Sequence, residues 1–180
     1  MKAIETNRLL LRNFTAEDAS GLFDYLHEPR VSCFFPKRLE DMVAAHKEVR
    51  KRRNSDDYVA VCLKGTCQLI GDLFAIAGDE PDTFSVGWHF NALFGGAGLA
   101  TEAAQALFEY LFAAKSARRL FAYVEDDNVA SQRVCEKLGM RHEGTFEEFV
   151  SFENDSAGRP IFVDTRQYAI LLKEWRGDRE

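Results

Sequence analysis

The 180 residues hold 23 Lys and Arg against 29 Asp and Glu, a net charge of −6 with a pI near 5.3, which argues against a general nucleic-acid binder. A hydrophobic share of 46% with 4 Pro excludes a disordered chain and suits one domain, expected over residues 7–175, with a core of its own. Cys33, Cys62, Cys67 and Cys135 show no C-x-x-C spacing, and neither a signal peptide nor an apolar run of membrane length is present, so a cytoplasmic protein without metal, disulfide framework or membrane span is expected.

Arg8-Leu9-Leu10-Leu11-Arg12 predicts a first strand. Thr15 then caps a helix whose buried face is Ala19, Leu22, Phe23 and Leu26, and Pro29 ends it. A second helix is expected over 39–53, with Met42, Val43 and Val49 as its apolar side. Its basic run, Arg50-Lys51-Arg52-Arg53, fits a last turn that complements the helix dipole better than a polyanion site.

Strands follow at 58–63 and 67–76 around the turn Lys64-Gly65-Thr66. The next is clearest: Phe84, Val86, Trp88 and Phe90 alternate with Ser85, Gly87 and His89. Gly95-Gly96-Ala97-Gly98 opens a helix to about Ala114, a strand covers 120–125, and a helix covers 128–138 with Gly139 at its C′ position. Two last strands are expected over 141–152 and 161–172. The order β-α-α-β-β-β-α-β-α-β-β predicts an α/β (α+β) fold with a mixed sheet and helices on its faces.

The chemistry concentrates where strand 84–90 meets Gly95-Gly96-Ala97-Gly98. Glycines between a strand and a helix let backbone N–H groups converge, and the helix start adds unpaired donors and partial positive charge. That is an anion site able to hold a pyrophosphate. No Lys-Ser or Lys-Thr follows the glycines, so a nucleoside-triphosphate P-loop is excluded. The antiparallel strands before the loop, and its spacing, do not fit a dinucleotide fingerprint.

Gly96-Ala97-Gly98-Leu99-Ala100-Thr101-Glu102-Ala103 resembles the pyrophosphate loop of GNAT acetyltransferases, usually Q/R-x-x-G-x-G/A followed by Thr-Glu-Ala. Asn128 to Met140 resembles the family's N-x-x-S-x-x-x-x-E-K-L-G-F segment. The opening, Glu5 to Arg12, and the ending, Tyr168 to Trp175, resemble the branch that acetylates N-termini of ribosomal proteins.

The resemblance implies a GNAT-type acyl-CoA N-acyltransferase fold and acetyl transfer from acetyl-CoA to a primary amine, on a protein N-terminus or a small molecule. The pyrophosphate then falls to the amides of Gly95, Gly96, Ala97, Gly98, Leu99 and Ala100, and the pantetheine arm to the backbone near Phe90 and Ala92 and to Asn128 and Ser131. Splay between strands 84–90 and 120–125 makes the slot. Dimers are common in the family, and no pattern here fixes one.

Three positions depart from the pattern. Gly95 stands where the family has Gln or Arg, Ala97 where it often has a basic residue, and Cys135 where many members carry a Tyr general acid. These departures motivate the alternative of a catalytically idle acyl-CoA-binding domain. Candidates for the base that deprotonates the amine are His89, Glu102, Glu125 and Asp126.

Overall fold

Period-two alternation divides the strands between two cores, one on each side of a single sheet. In the computed structural model, which describes residues 1–29 and 31–177, the strands are β1 (Ile4–Glu5), β2 (Leu9–Arg12), β3 (Tyr58–Leu63), β4 (Leu69–Ala77), β5 (Thr83–Phe90), β6 (Arg119–Glu125), β7 (Arg141–Asn154) and β8 (Pro160–Leu171). They form one eight-stranded sheet in the order β1-β2-β3-β4-β5-β6-β8-β7. Every neighbouring pair is antiparallel except β5 and β6.

The helices are α1 (Ala19–Leu26), α2 (Met42–Arg53), α3 (Leu99–Ala114), α4 (Val129–Lys137) and α5 (Leu172–Gly177). Val59 and Val61 of β3 face one core with Leu107, Phe108 and Leu111 of α3 and Cys135 of α4. Ala60 and Cys62, the residues between and after them, face the other core with Leu22 and Leu26 of α1 and Val49 of α2. The crossover from β5 through α3 to β6 is the parallel unit, and it lays α3 along the first core. No helix among the described residues is long and apolar enough to cross a membrane.

The structure adds the short β1, the closing α5 and a 3-10 turn over Ser32–Lys37 to the elements expected. It also corrects α2. Asp41 caps the helix by accepting from the Ala44 N–H at 2.8 Å, so the helix begins at Met42, not near residue 39. Met42 and Val43, expected on the apolar side, are exposed, and the buried face is Ala45, Val49 and Arg52. Strand β4 starts at Leu69, because Cys67 takes the left-handed conformation (φ 57°) in the preceding turn. Gly139 has φ 75° and follows the C-cap Leu138, as its expected C′ role requires.

Candidate active site

Strands β5 and β6 are hydrogen-bonded partners only at their beginnings. The pairs are Thr83 with Arg119, Phe84 with Leu120 and Ser85 with Phe121, and after these the ladder stops although both strands continue. The Asn91 N–H donates to the Ile70 carbonyl at 2.9 Å. In an antiparallel ladder bonding alternates, so the odd-numbered residues of β5 spend their backbone groups on β4. The even-numbered ones, Trp88 and Phe90, turn theirs toward β6, where no strand partner remains. A slot with a row of main-chain donors and acceptors on its β5 wall results.

The slot runs toward the glycine loop. Its lower end is a 3-10 turn over Ala92–Phe94, in which the Gly95 N–H already donates to the Ala92 carbonyl at 3.1 Å. Gly95 is therefore committed, and the free array starts one residue later. From Gly96 to Thr101 no backbone N–H has a protein acceptor among the described residues, and the first helical bond is Glu102 N–H to the Gly98 carbonyl at 3.0 Å. Gly96 and Gly98 have φ of 78° and 75°, which only glycine adopts without strain, and this aims consecutive amides into one concavity. The array matches an anion such as a pyrophosphate in charge and geometry.

Glu102, one of the four base candidates, is part of the scaffold of this loop. Its carboxylate accepts from Thr6 Oγ1 at 2.6 Å, Arg8 N–H at 2.9 Å and Arg8 Nε at 2.7 Å. Arg8 Nη1 in turn donates to the Ala97 carbonyl at 2.9 Å. The turn before β2 is thus clamped to the loop and to the first turn of α3. The sequence displays Arg8 but nothing local to it says what it holds.

A cavity of about 360 Å³ opens between the Ser32–Lys37 turn, the end of β6 and the β7–β8 hairpin. Glu125 lines it, is buried, and sits where β6 gives way to α4. Gln132 of α4 fixes that corner by donating to the carbonyls of Glu125 (3.2 Å) and Asp126 (2.8 Å). Burial together with the Glu125 carboxylate pushes the Cys33 thiol well above its usual range. Asn128 lines the same cavity; its side-chain oxygen caps α4 by accepting from the Ser131 N–H at 3.1 Å. Ser131 Oγ accepts from Trp88 Nε1 at 3.1 Å, a bridge from β5 to α4 that leaves the hydroxyl proton free to donate.

The remaining candidates lie elsewhere. Asp126 is paired with Arg166 at 2.5 Å and does not line the cavity. His89 is buried under the α1 and α2 side of the sheet, where Nδ1 meets Asp72 Oδ2 at 2.9 Å and Nε2 faces Lys37 Nζ at 3.3 Å. Facing the carboxylate, Nδ1 is the nitrogen that carries the proton. Of the four, only Glu125 lines the cavity.

Asp72 is the centre of a buried network the sequence reading did not find. It accepts from Tyr25 Oη at 2.6 Å, and Arg52 Nη1 lies 2.9 Å away as an ion pair without an aligned hydrogen bond. Arg52 also donates through Nε to Glu48 at 2.9 Å. Burial opposes the Asp72 charge, but His89, Arg52 and Tyr25 outweigh it and hold the carboxyl well below the usual range. Burial also pushes the Lys37 ammonium down. Of the basic run at the end of α2, Arg52 is thus a core residue, not a solvated one. Cys135 is fully buried, and burial pushes its thiol up to about 12, the behaviour of a small packing residue. Among the described residues no group of three or more His, Cys, Asp or Glu is placed to hold a metal ion.

The sequence model of the Acetyltransferase (GNAT) domain matches residues 8–141. An uncharacterised N-acetyltransferase of Bacillus subtilis (strain 168), YnaD, is 32% identical over 174 residues, covering 96% of this chain and 98% of that one. Among solved structures, the GNAT-family acetyltransferase from Bacillus anthracis superposes with a TM-score of 0.86 at 30% identity, covering 96% of this chain and 99% of its own. The ribosomal-protein-S5-alanine acetyltransferase from Vibrio fischeri shares the fold at a TM-score of 0.74 and 18% identity, over 97% of this chain and 99% of that one.

Proposed function

The chain belongs to the GNAT acetyltransferase family and is an acyltransferase, and from that premise we propose that it moves an acetyl group from acetyl-CoA to a primary amine by direct attack on the thioester. The observation that carries the reading is the early end of β5–β6 pairing, which leaves a slot with unspent main-chain groups on the strand that leads into the anion-binding loop.

In this reading the amides from Gly96 to Ala100 take the pyrophosphate, and the backbone of Trp88 and Phe90 pairs with the pantetheine amides as a strand would. The side-chain NH2 of Asn128 donates to the same arm, and Ser131 lies alongside. The loop lacks the basic side chains usual in the family at Gly95 and Ala97, and Arg8 brings a guanidinium to the Ala97 carbonyl instead.

The acceptor enters from the cavity. Glu125, directly or through a water, takes a proton from its ammonium, and the freed nitrogen forms a bond to the acetyl carbon. Negative charge gathering on the carbonyl oxygen is met by the β5 N–H groups near Phe90. The carbon–sulfur bond then breaks, the nitrogen sheds its second proton, and the departing thiolate takes that proton up through water; Cys135, sealed in the core, has no part in this. The reaction belongs in the cytoplasm, and the products are an N-acetyl amine and CoA.

Calorimetric titration with acetyl-CoA tests the reading, comparing the wild type with Gly98→Glu, which puts a carboxylate and a strained backbone into the anion loop. Binding by the wild type and its loss in a variant that keeps its far-UV circular dichroism is the expected result. A wild type that does not bind acetyl-CoA refutes it.

A further inference from the structure

The turn over Ser32–Lys37 lies across the slot on the side away from α3. Along β5 the side chains alternate: Trp88 belongs to the α3 core and Phe90 packs against it, while His89, between them, points to the opposite face. Phe34 of the turn meets the His89 ring edge-on, with centroids 4.3 Å apart, and Phe35 lines the same cavity as Glu125 at the end of β6. The turn therefore spans from β5 to the end of β6, over the stretch where the two strands have parted.

Its last residue, Lys37, has no part in the chemistry proposed above. Lys37 is an exposed residue, but its ammonium turns inward, to 3.3 Å from Nε2 of the buried His89 and 5.3 Å from the centroid of the Phe74 ring. On the far side of the imidazole, Nδ1 meets Asp72 Oδ2 at 2.9 Å. With its proton on Nδ1, the ring presents the Nε2 lone pair to Lys37, so carboxylate, imidazole and amine form one chain. A carboxylate behind an imidazole stabilises the imidazolium that forms when Nε2 takes a proton, which makes His89 a base for the donor in front of it. That donor is Lys37. The nearby carboxylates are spent elsewhere, Asp72 on His89, Arg52 and Tyr25, and Glu48 on Arg52. Burial of its charged end pushes the Lys37 ammonium down, toward the free amine that can attack a thioester.

We propose that Lys37 is a self-acetylation site, with His89 as the base that frees its amine. The inference rests on the acetyltransferase reading and concerns what bound acetyl-CoA meets when no outside amine is present. The Lys37 ammonium gives one proton to His89 Nε2, and Asp72 holds the imidazolium. The flexible four-carbon stem lets Nζ swing from His89 to the acetyl carbon delivered along the main chain of Trp88 and Phe90. A nitrogen–carbon bond forms and the carbon–sulfur bond breaks. The nitrogen sheds a second proton, which reaches the thiolate through water, and His89 returns the first to solvent. The products are Lys37 acetylated at Nζ, CoA and one released proton. An amide does not hand its acetyl group on to another amine, so the modification is an end point and Lys37 is no carrier.

The test incubates the full chain with deuterium-labelled acetyl-CoA and no added amine, and follows the label at each lysine by peptide mass spectrometry. Lys37 should be labelled about 10²-fold faster than the exposed Lys47 and Lys51, at a first-order rate unchanged when the protein is diluted. In Gly98→Glu the Lys37 rate should fall to that of the surface lysines. In His89→Gln protein that keeps its far-UV circular dichroism, where the amide cannot take a proton, it should fall by about 10²-fold. Labelling of Lys37 no faster than of Lys47 and Lys51, as a contact that merely holds the turn would give, overturns the proposal. So does a rate that rises with protein concentration, or one that the folded His89→Gln protein leaves unmoved. An outside amine that is acetylated while Lys37 stays unlabelled sinks this inference alone; a wild type that does not bind acetyl-CoA takes the acetyltransferase reading down with it.

Discussion

Asp72→Asn changes one atom and removes the fully buried one of the two carboxylates paired with Arg52. Asp72 is 0% exposed and Arg52 1% exposed, so the guanidinium keeps its charge with only Glu48, at the edge, to balance it. Breaking a buried pair from one side costs about 3–5 kcal/mol, because the other charge is left behind. The upper half of that range applies here. Asp72 also accepts from Tyr25 at 2.6 Å and from His89 at 2.9 Å, and an amide has one oxygen for what are now two donors. With roughly 2–4 °C per kcal/mol for a domain of this size, Tm should drop by about 8–20 °C. Urea unfolding at neutral pH, followed by far-UV circular dichroism, gives the free energy, and an unchanged m value would show that the folded state has kept its extent. Adding Arg52→Met to Asp72→Asn removes the stranded charge and should recover a large part of the loss. A loss under about 1 kcal/mol, or a double variant no better than the single one, would refute the view that this network is an ionic tie between α2 and the sheet.

Acid should expose the same tie. Asp72 and Glu143 bind protons less tightly folded than unfolded, Asp72 through His89, Arg52 and Tyr25 against its burial, and Glu143, down at about 2, through Arg119 and Arg141. The unfolded chain takes up more protons as pH falls, so the stability they confer is whole above about pH 4, the unfolded carboxylate value, and drains away below it. Unfolding free energy measured from pH 6 to pH 2 checks the direction; a flat profile through pH 4 contradicts it. Glu102→Gln removes the charge that Arg8 and Thr6 grip, loosening the glycine loop, and acetyl-CoA Kd should rise about fivefold, roughly 1 kcal/mol of lost preorganisation. Calorimetry decides that, and an unchanged Kd would show that the loop holds its shape unaided. Glu125→Gln should lower kcat by about 10²-fold or more through loss of the base, while acetyl-CoA Kd stays within twofold. Steady-state rates from pH 6 to pH 9 read the first effect and titration the second; an unaltered kcat would remove Glu125 from proton transfer.

The fold was legible wherever one periodicity ruled a segment. Phe84, Val86, Trp88 and Phe90 alternate strictly, and β5 is where they indicate. In α2 the apolar residues at its start misled, because Met42 and Val43 are side chains of an exposed first turn, and burial on that helix is set by tertiary packing against α1. The glycine loop was legible for a similar reason: positive φ at Gly96 and Gly98 leaves a residue-type signature in the chain. The base was not. His89, Glu102, Glu125 and Asp126 look alike in one dimension, and only the positions of Asp72, Arg8 and Arg166, each distant in sequence from the candidate it engages, separate those three from the one that lines the cavity. Buried pairs such as Asp72 and Arg52, 20 residues apart on different elements, carry no local signal. Arg52 even reads as the opposite of what it is, one basic residue in a run of four.

Where β5 and β6 part after Ser85 and Phe121, the exposed wall is main chain. Such a wall is blind to side-chain identity, and most substitutions along it keep every donor and acceptor in place; a proline at Trp88 or Phe90 is the change that deletes one. The cavity that Glu125 lines is the reverse, since its walls include side chains carried by a 3-10 turn and a hairpin. In the proposed reading, donor handling and acceptor choice are thereby written in two different chemical alphabets within one site. The second can be rewritten, by drift or by design, while the first stays as it is.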